Sequence, residues 1–348
     1  MDPFRRTRCC GSGVMAFLKS VEKWGRRRVA LLFPGLLPSE TVPVPRSPSS
    51  ILVIRTDSRL GNLVLLEPLL RDLTLTFPRA RMDILASHVF SGVLRSQGYS
   101  VIDVHKKRQI RHPYEFLQLV KRLRSQEYDI AIDAAHPHSF SLSGAVTAFL
   151  SGAGCRLSTD AGGSADWYHH TVPEPPLDWH ESRGLHSLGS VWDNWPQWSP
   201  PVFDGGGEPR DAVGIHVGAS GGKKYPLDKM DELVGMLSRR YLLEIYWGTE
   251  EEGEIAHQLS GKHPAAVMPR FSVSNLAEKL SGLRVFVTAD NGPMHLASAL
   301  SVPVVALFRI CNMNRFAPLS RDSMVLYAEE GTEPEMVAKE VERIAGRG

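Results

Sequence analysis

The sequence predicts an α/β protein made of two Rossmann-like halves, each with a parallel, doubly wound sheet, facing a central cleft. Three observations carry this. Short apolar, β-branched runs alternate with helix-period segments along most of the chain, the pattern of parallel sheets covered by helices. The alternation lapses over residues 160–210, rich in Trp, Pro, Gly and His and ending in Gly205-Gly206-Gly207, and then resumes. The run 285–308, VFVTADNGPMHLASALSVPVVALF, spells out a compact βαβ unit. At 348 residues the chain is long enough for two domains with separate cores. The expected division is a basic segment and linker at 1–50, an N-terminal half at 51–200 and a C-terminal half at 201–348.

The elements follow in order. Residues 1–14 read as unstructured, with Met15 an alternative start. Met15 to Leu37 mixes Phe17, Leu18, Trp24 and Phe33 with Lys19, Lys23 and Arg26–Arg28, a basic amphipathic pattern suited to an anionic membrane surface. Charges interrupt any signal-peptide core there. Residues 38–50 form a Pro/Ser-rich linker. Ile51–Arg55 is a buried strand, and the turn Thr56–Asn62 opens a helix carrying Leu63, Leu65, Leu66, Leu69 and Leu70. Strands follow at Arg81–Ala86 and Val101–Val104, a basic helix at Tyr114–Arg124, a strand at Tyr128–Ala134 and a small-residue helix at Ser141–Leu150. Residues 160–210 read as loops and interdomain connection. Then come strand Ala212–Val217, loop Gly218–Pro226, helix Leu227–Arg239, strand Leu242–Trp247 and a helix at Glu251–Leu259. A short strand near Ala265–Met268, helix Val273–Leu280, the opening βαβ unit and a terminal helix Pro334–Ala345 complete the chain.

Composition narrows the class. No apolar run approaches the ~20 residues needed to span a bilayer. The net charge of +2 hides nine basic against three acidic residues in 1–50, leaving the rest at −4, so no nucleic-acid-binding surface is indicated. Cys9, Cys10, Cys155 and Cys311 lack metal-ligand spacing and favour a reducing, cytoplasmic compartment.

Three motifs fall in the C-terminal half. In 285–308, Asp290-Asn291-Gly292-Pro293 breaks the strand. Asn291 or Gly292 caps the next helix, and Pro293 suits its first turn, where no N–H is needed. Met294 and His295 continue it. A helix amino end at a strand's carboxyl end is where open α/β sheets bind phosphates. Gly218-Ala219-Ser220-Gly221-Gly222-Lys223 is one residue short of a Walker loop, and Lys224 stands where Ser or Thr would hold magnesium. Its small residues and paired lysines still suit a diphosphate. Trp247-Gly248-Thr249-Glu250-Glu251-Glu252 places acids where ribose hydroxyls bind, and acids also favour a helix start. No GxGxxG follows the first strand, which disfavours a nicotinamide enzyme. Asp290 and His295 have no third partner at metal-ligand spacing, so no metal is expected.

These residues resemble the heptosyltransferases of lipopolysaccharide core synthesis, glycosyltransferase family nine, over about residues 51–310. DNGPMHLASALSVPVVALF is similar to the family's DxGxxHLAAALxxP signature. GASGGKKYP resembles its donor-phosphate loop, and WGTEEE its ribose-binding turn. The resemblance implies a GT-B fold, with the donor in the C-terminal half and a saccharide or lipid-linked acceptor in the N-terminal half. It also implies inverting transfer without an obligatory metal or other cofactor. The basic amphipathic segment at Met15–Leu37 would place the protein on the inner face of the cytoplasmic membrane, near a lipid-linked acceptor. The donor that the resemblance implies is ADP-heptose. It assigns the leaving phosphate to Lys223, with Lys224 in reserve, and the ribose to Glu252 or Glu251. Two departures stand out. The family's Gly-Asp pair, whose Asp is the expected base, is Gly61-Asn62 here, and an amide cannot take a proton at neutral pH. Asp57, five residues earlier, is the substitute; the alternative is a non-catalytic nucleotide-sugar-binding protein of the same fold. After Phe308 the family's Gly-Pro-Thr is replaced by Arg309-Ile310-Cys311-Asn312.

Overall fold

Two parallel sheets, each of six strands, organise the chain in a computed structural model that describes residues 36–38, 40, 42–105, 108 and 111–346. The first holds β1 (Ser50–Arg55), β2 (Arg81–Ser87), β3 (Ser100–Val104), β4 (Ile130–Asp133), β5 (Cys155–Asp160) and β6 (His170–Pro173), in the order β3-β2-β1-β4-β5-β6. Helices α1 (Leu60–Val64), α2 (Glu67–Thr76), α3 (Gly92–Ser96), α4 (Pro113–Arg124) and α5 (Leu142–Leu150) connect its strands, and α6 (Glu181–His186) follows it. The second sheet contains β7 (Ala212–His216), β8 (Leu242–Tyr246), β9 (Ala266–Val267), β10 (Val285–Ala289), β11 (Val304–Phe308) and β12 (Met324–Tyr327). Its helices are α7 (Leu227–Leu237), α8 (Glu250–Lys262), α9 (Val273–Ser281), α10 (Gly292–Ala299), α11 (Met313–Phe316) and α12 (Pro334–Ala345).

The second sheet runs β12-β11-β10-β7-β8-β9, the same winding as the first when numbered from β7. Val53 pairs with Ile84 on one side and Ile132 on the other, and Val287 with Val305 and Ile215. Such central strands are buried on both faces, which is why ILVIR and VFVTA read as unbroken apolar runs. Winding reverses between β1 and β4 and between β7 and β10. Ligands of open α/β sheets bind in the crevices at the carboxyl ends of such strand pairs.

The alternation of strands and helices is as expected, with four differences. Residues 160–210 are not only loops, because they hold the end of β5, all of β6, and α6. β5 escapes a hydropathy reading because its buried polar side chains are satisfied internally: Arg156 donates to Leu36 O at 3.0 Å and Ser158 to Asp133 O at 3.1 Å. The single leucine-rich helix is two, because the chain breaks at Leu65-Leu66 before Pro68 enters the first turn of α2. α3, α11 and β12 were not expected. The basic segment Met15–Leu37 lies outside the described residues apart from Leu36 and Leu37. Among the described residues, no helix is long and apolar enough to cross a membrane.

Candidate active site

The expected motifs of the second half gather at its switch point. β7 ends in His216 and β10 in Ala289, and the loops that follow are fastened together by Asn291. Its Oδ1 accepts the Met294 N–H at 3.0 Å, capping α10, while its Nδ2 donates to Gly218 O at 2.7 Å and Thr288 Oγ1 at 2.9 Å. Asn291, not Gly292, is therefore the cap, and Pro293 occupies the first turn. The Gly218 N–H donates to His216 Nδ1 at 3.0 Å, and burial holds that imidazole below its usual pKa. The glycine-rich loop and the amino end of α10 thus form one rigid, positively polarised wall.

The two lysines separate. A 3₁₀ turn at Gly221–Lys223 sends Lys223 inward, where its Nζ lies 2.5 Å from Asp290 Oδ2, and Lys224 outward to Glu251 at 3.1 Å. Asp290 is buried and also accepts from Asn312 Nδ2 at 3.1 Å. Asn312 belongs to the segment that departs from the family after Phe308. Glu252 closes a capping box with Thr249: its Oε2 accepts the N–H groups of Gly248 at 2.8 Å and Thr249 at 3.1 Å. Its other oxygen faces the Gly218–Pro226 loop, for a Cβ on Gly218 would lie 2.0 Å from Glu252 Oε1. Glu251 points to solvent.

The opposite wall comes from the first half's switch point. Buried Arg55, closing β1, donates through Nη1 to Ala134 O at 2.5 Å. Its Nε lies 2.6 Å from Asp57 Oδ2, a charge contact without hydrogen-bond alignment. Asn62 Nδ2 donates to Asp57 Oδ1 at 2.7 Å. The loop therefore folds back and brings Asp57 beside Asn62. Behind them Asp133 is wholly enclosed. Burial pushes its carboxyl up to about 6, against the Tyr168 hydroxyl that donates to it at 2.5 Å.

Two glycines set the separation of the walls. A Cβ on Gly61 would lie 2.7 Å from His295 Cδ2, and one on Gly292 would lie 2.8 Å from Leu60 Cβ. The starts of α1 and α10 therefore approach closely, which sets the Asp57–Asn62 loop against the wall formed by the Gly218 loop and the amino end of α10. A second bridge joins the halves: Arg315 Nη2 donates to Glu181 Oε2 at 2.7 Å and lies 3.2 Å from His136 Nε2. His180 Nε2 lies 3.1 Å from Ala317 O, so that nitrogen carries the proton.

Arg55, His216, His180, Glu181 and Arg315 were not among the expected site residues, and Asn312 was noted only as part of the departure after Phe308. Arg55 and His216 share one signal, a charged or titratable residue closing an apolar strand at the switch point. The others meet only through long-range folding. Among the described residues, no group of three His, Cys, Asp or Glu is placed to hold a metal ion.

Burial depresses His295 to about 4, with His180 and Lys223 adding repulsion. Its unfolded imidazole titrates near 6.5. Between those values the unfolded state binds more protons, so this residue's contribution to stability is lost as pH falls from about 6.5 to 4. Denaturant melts at both ends of that range should show wild type losing stability relative to His295→Gln on acidification. Equal pH slopes would contradict this.

Comparison with known proteins agrees with the geometry. The sequence model of "Glycosyltransferase family 9 (heptosyltransferase)" matches residues 116–345. Lipopolysaccharide heptosyltransferase 1 of Pseudomonas aeruginosa is 42% identical over 74 residues, 21% of this chain and 21% of that protein. The Escherichia coli K12 protein of that name is 28% identical over 119 residues, 34% of this chain and 37% of its own length. The chain thus spans less than half the length of the curated relatives it matches. The solved E. coli heptosyltransferase WaaC with ADP superposes with a TM-score of 0.73 at 20% identity, covering 85% of this chain and 99% of that one. A glycosyl transferase family 9 structure from Veillonella parvula gives 0.70 at 16% identity, covering 88% and 100%. These likenesses show the GT-B fold. With a family match over most of the described residues, the chain belongs to glycosyltransferase family 9, the heptosyltransferase family.

Proposed function

We propose that the cleft transfers a heptose, with inversion, from ADP-heptose to a saccharide or lipid-linked acceptor of the lipopolysaccharide core. The donor would occupy the 201–348 half and the acceptor the 51–200 half. The observation that carries this is the contact of Gly61 with the amino end of α10, which sets a carboxylate-bearing loop against a phosphate wall.

In this reading the diphosphate lies on the α10 amino end and draws Lys223 from Asp290. Lys223 neutralises the charge that grows as ADP leaves, where preorganised cations act most strongly. Asp290, buried and deprived of its cation, then takes a hydroxyl hydrogen bond from the donor sugar. Glu252, or Glu251 from the exposed side, accepts from the ribose. Asp57 removes the acceptor hydroxyl's proton. The freed oxygen bonds the anomeric carbon from the face opposite the diphosphate, and the bond to ADP breaks with its electron pair going to the phosphate. Asn62 fixes Asp57 by hydrogen bond, as Arg55 does by charge, without itself taking the proton. No metal enters these steps.

Calorimetry with ADP, paired with a transfer assay using ADP-heptose, tests the reading. ADP binding together with heptosyl transfer is expected. Tight ADP binding without transfer would favour a nucleotide-sugar-binding protein, which the amide at 62 makes the serious rival. Absence of nucleotide binding would sink both.

A further inference from the structure

Helix α4 is an unusual surface element. Of its residues only Leu123 is buried, although the helix also carries Tyr114, Phe116, Leu117, Leu119 and Val120. At 100° per residue, Tyr114, Leu117, Gln118 and Lys121 share the outward face, opposite Leu123, with Arg122 beside them. Tyr114 is 70% exposed and Leu117 62%. Arg108 is paired with Glu115, the helix's one acid, at 2.7 Å. Arg111, Lys121 and Arg122 are exposed and have no ion-pair partner among the described residues.

Placement gives this face a direction. β3 and β4 are parallel within the first sheet, so α4 runs back from the carboxyl ends of the strands, and its first turn stands at the rim bordering the cleft. Val89, 49% exposed, lies in the turn after β2 on that rim. There the His88 N–H donates to Val104 O at 3.2 Å, and the His88 and His105 rings stack at 4.0 Å. Cations in the last turn suit a helix carboxyl end, which accounts for Lys121 and Arg122 on its own terms. That explanation covers neither the bare Tyr114 and Leu117 nor Arg111.

We propose that the outward face of α4, through Tyr114 and Leu117 flanked by Arg111, Lys121 and Arg122, docks on an anionic lipid bilayer. The chemistry matches that occupant. Tyrosine settles at the headgroup level, leucine reaches the acyl boundary, and each nearby cation gains from the negative surface potential. An acidic protein would satisfy the cations but would not call for the apolar pair at the rim. Docked this way, the first sheet's carboxyl ends stand beside the bilayer. The contact rests on this surface alone; its use in presenting a lipid-linked acceptor rests on the transfer proposed above.

The test uses the full chain and vesicles of phosphatidylcholine alone or mixed in equal parts with phosphatidylglycerol. Wild type is expected to float with the mixed vesicles only. Hydrogen exchange across residues 113–124 should slow when they are added. Tyr114→Ser with Leu117→Ser, and Lys121→Glu with Arg122→Glu, should each weaken vesicle binding by about tenfold or more. Unchanged exchange at 113–124 in wild type overturns the proposal even if residues 1–50 hold the chain on the vesicle, and that measurement does not depend on any variant folding. Failure to bind mixed vesicles, equal binding to both kinds, or undiminished binding by the folded variants also overturns it. Transfer to a soluble acceptor measured alongside would leave the enzymatic reading standing or falling separately.

Discussion

Lys223→Ala should lower kcat/KM for transfer from ADP-heptose by about 10²–10³-fold, the usual cost of removing one preorganised group that stabilises developing charge. Lys224→Ala should stay within a few-fold of wild type. The two residues are adjacent and chemically identical, so the contrast tests geometry alone. Lys223 reaches Asp290 at the amino end of α10, whereas Lys224 reaches exposed Glu251. Surface pairs of the second kind contribute about 0–1 kcal/mol, and their loss leaves the phosphate wall intact. In Lys223→Ala the buried Asp290 keeps, among the described residues, the Asn312 amide as its hydrogen-bond donor. Its negative charge would then face the incoming diphosphate, so ADP affinity should fall along with kcat. Steady-state kinetics and ADP titrations on both variants check this. Equal losses would mean that the inward lysine has no special relation to the donor.

Asp57→Asn should reduce kcat by about 10²–10⁴-fold, the range for a positioned general base. Asn62→Asp is the more discriminating variant. It replaces the 2.7 Å amide–carboxylate hydrogen bond with two carboxyl groups at contact distance. Like charges that close cannot both ionise easily, so one group's pKa must rise. A raised pKa means the base is protonated up to a higher pH, and the acidic limb of the rate profile should move upward from its wild-type position. If Asn62→Asp instead raises kcat strongly and Asp57→Asn is nearly silent, the proton acceptor is absent from the natural chain and Asp57 serves only to hold the loop.

The βαβ unit at 285–308 was legible because its punctuation is strong: Asn, Gly and Pro at successive positions leave few conformations other than a capped helix start. The doubly wound order followed from alternation alone. For Glu252 a helix start and a ribose contact were both available readings, and the capping box with Thr249 realises the first while its second oxygen faces the Gly218 loop. Less was legible where function depends on partners distant in sequence. The pairing of Arg315 with Glu181 spans 134 residues and joins an expected loop to an unexpected helix. Likewise, the choice between Lys223 and Lys224 is made by a 3₁₀ turn among glycines, which carry no pattern that fixes side-chain direction. β5 was hidden because its buried Arg156 and Ser158 satisfy their polar groups with distant carbonyls, so burial left no trace in hydropathy.

The glycine contact between α1 and α10 also has a mechanical meaning. Where Gly61 and Gly292 meet, neither residue carries a side chain, so the Leu60 and His295 side chains seat directly on the facing main chain and leave little room for the halves to shift at that point. That makes the point a fulcrum. Rolling one half against the other there would have to break the Arg315–Glu181 bridge, while the span from the Asp57 loop to the amino end of α10 stayed nearly constant. Access and chemical alignment would then be set by different parts of the molecule.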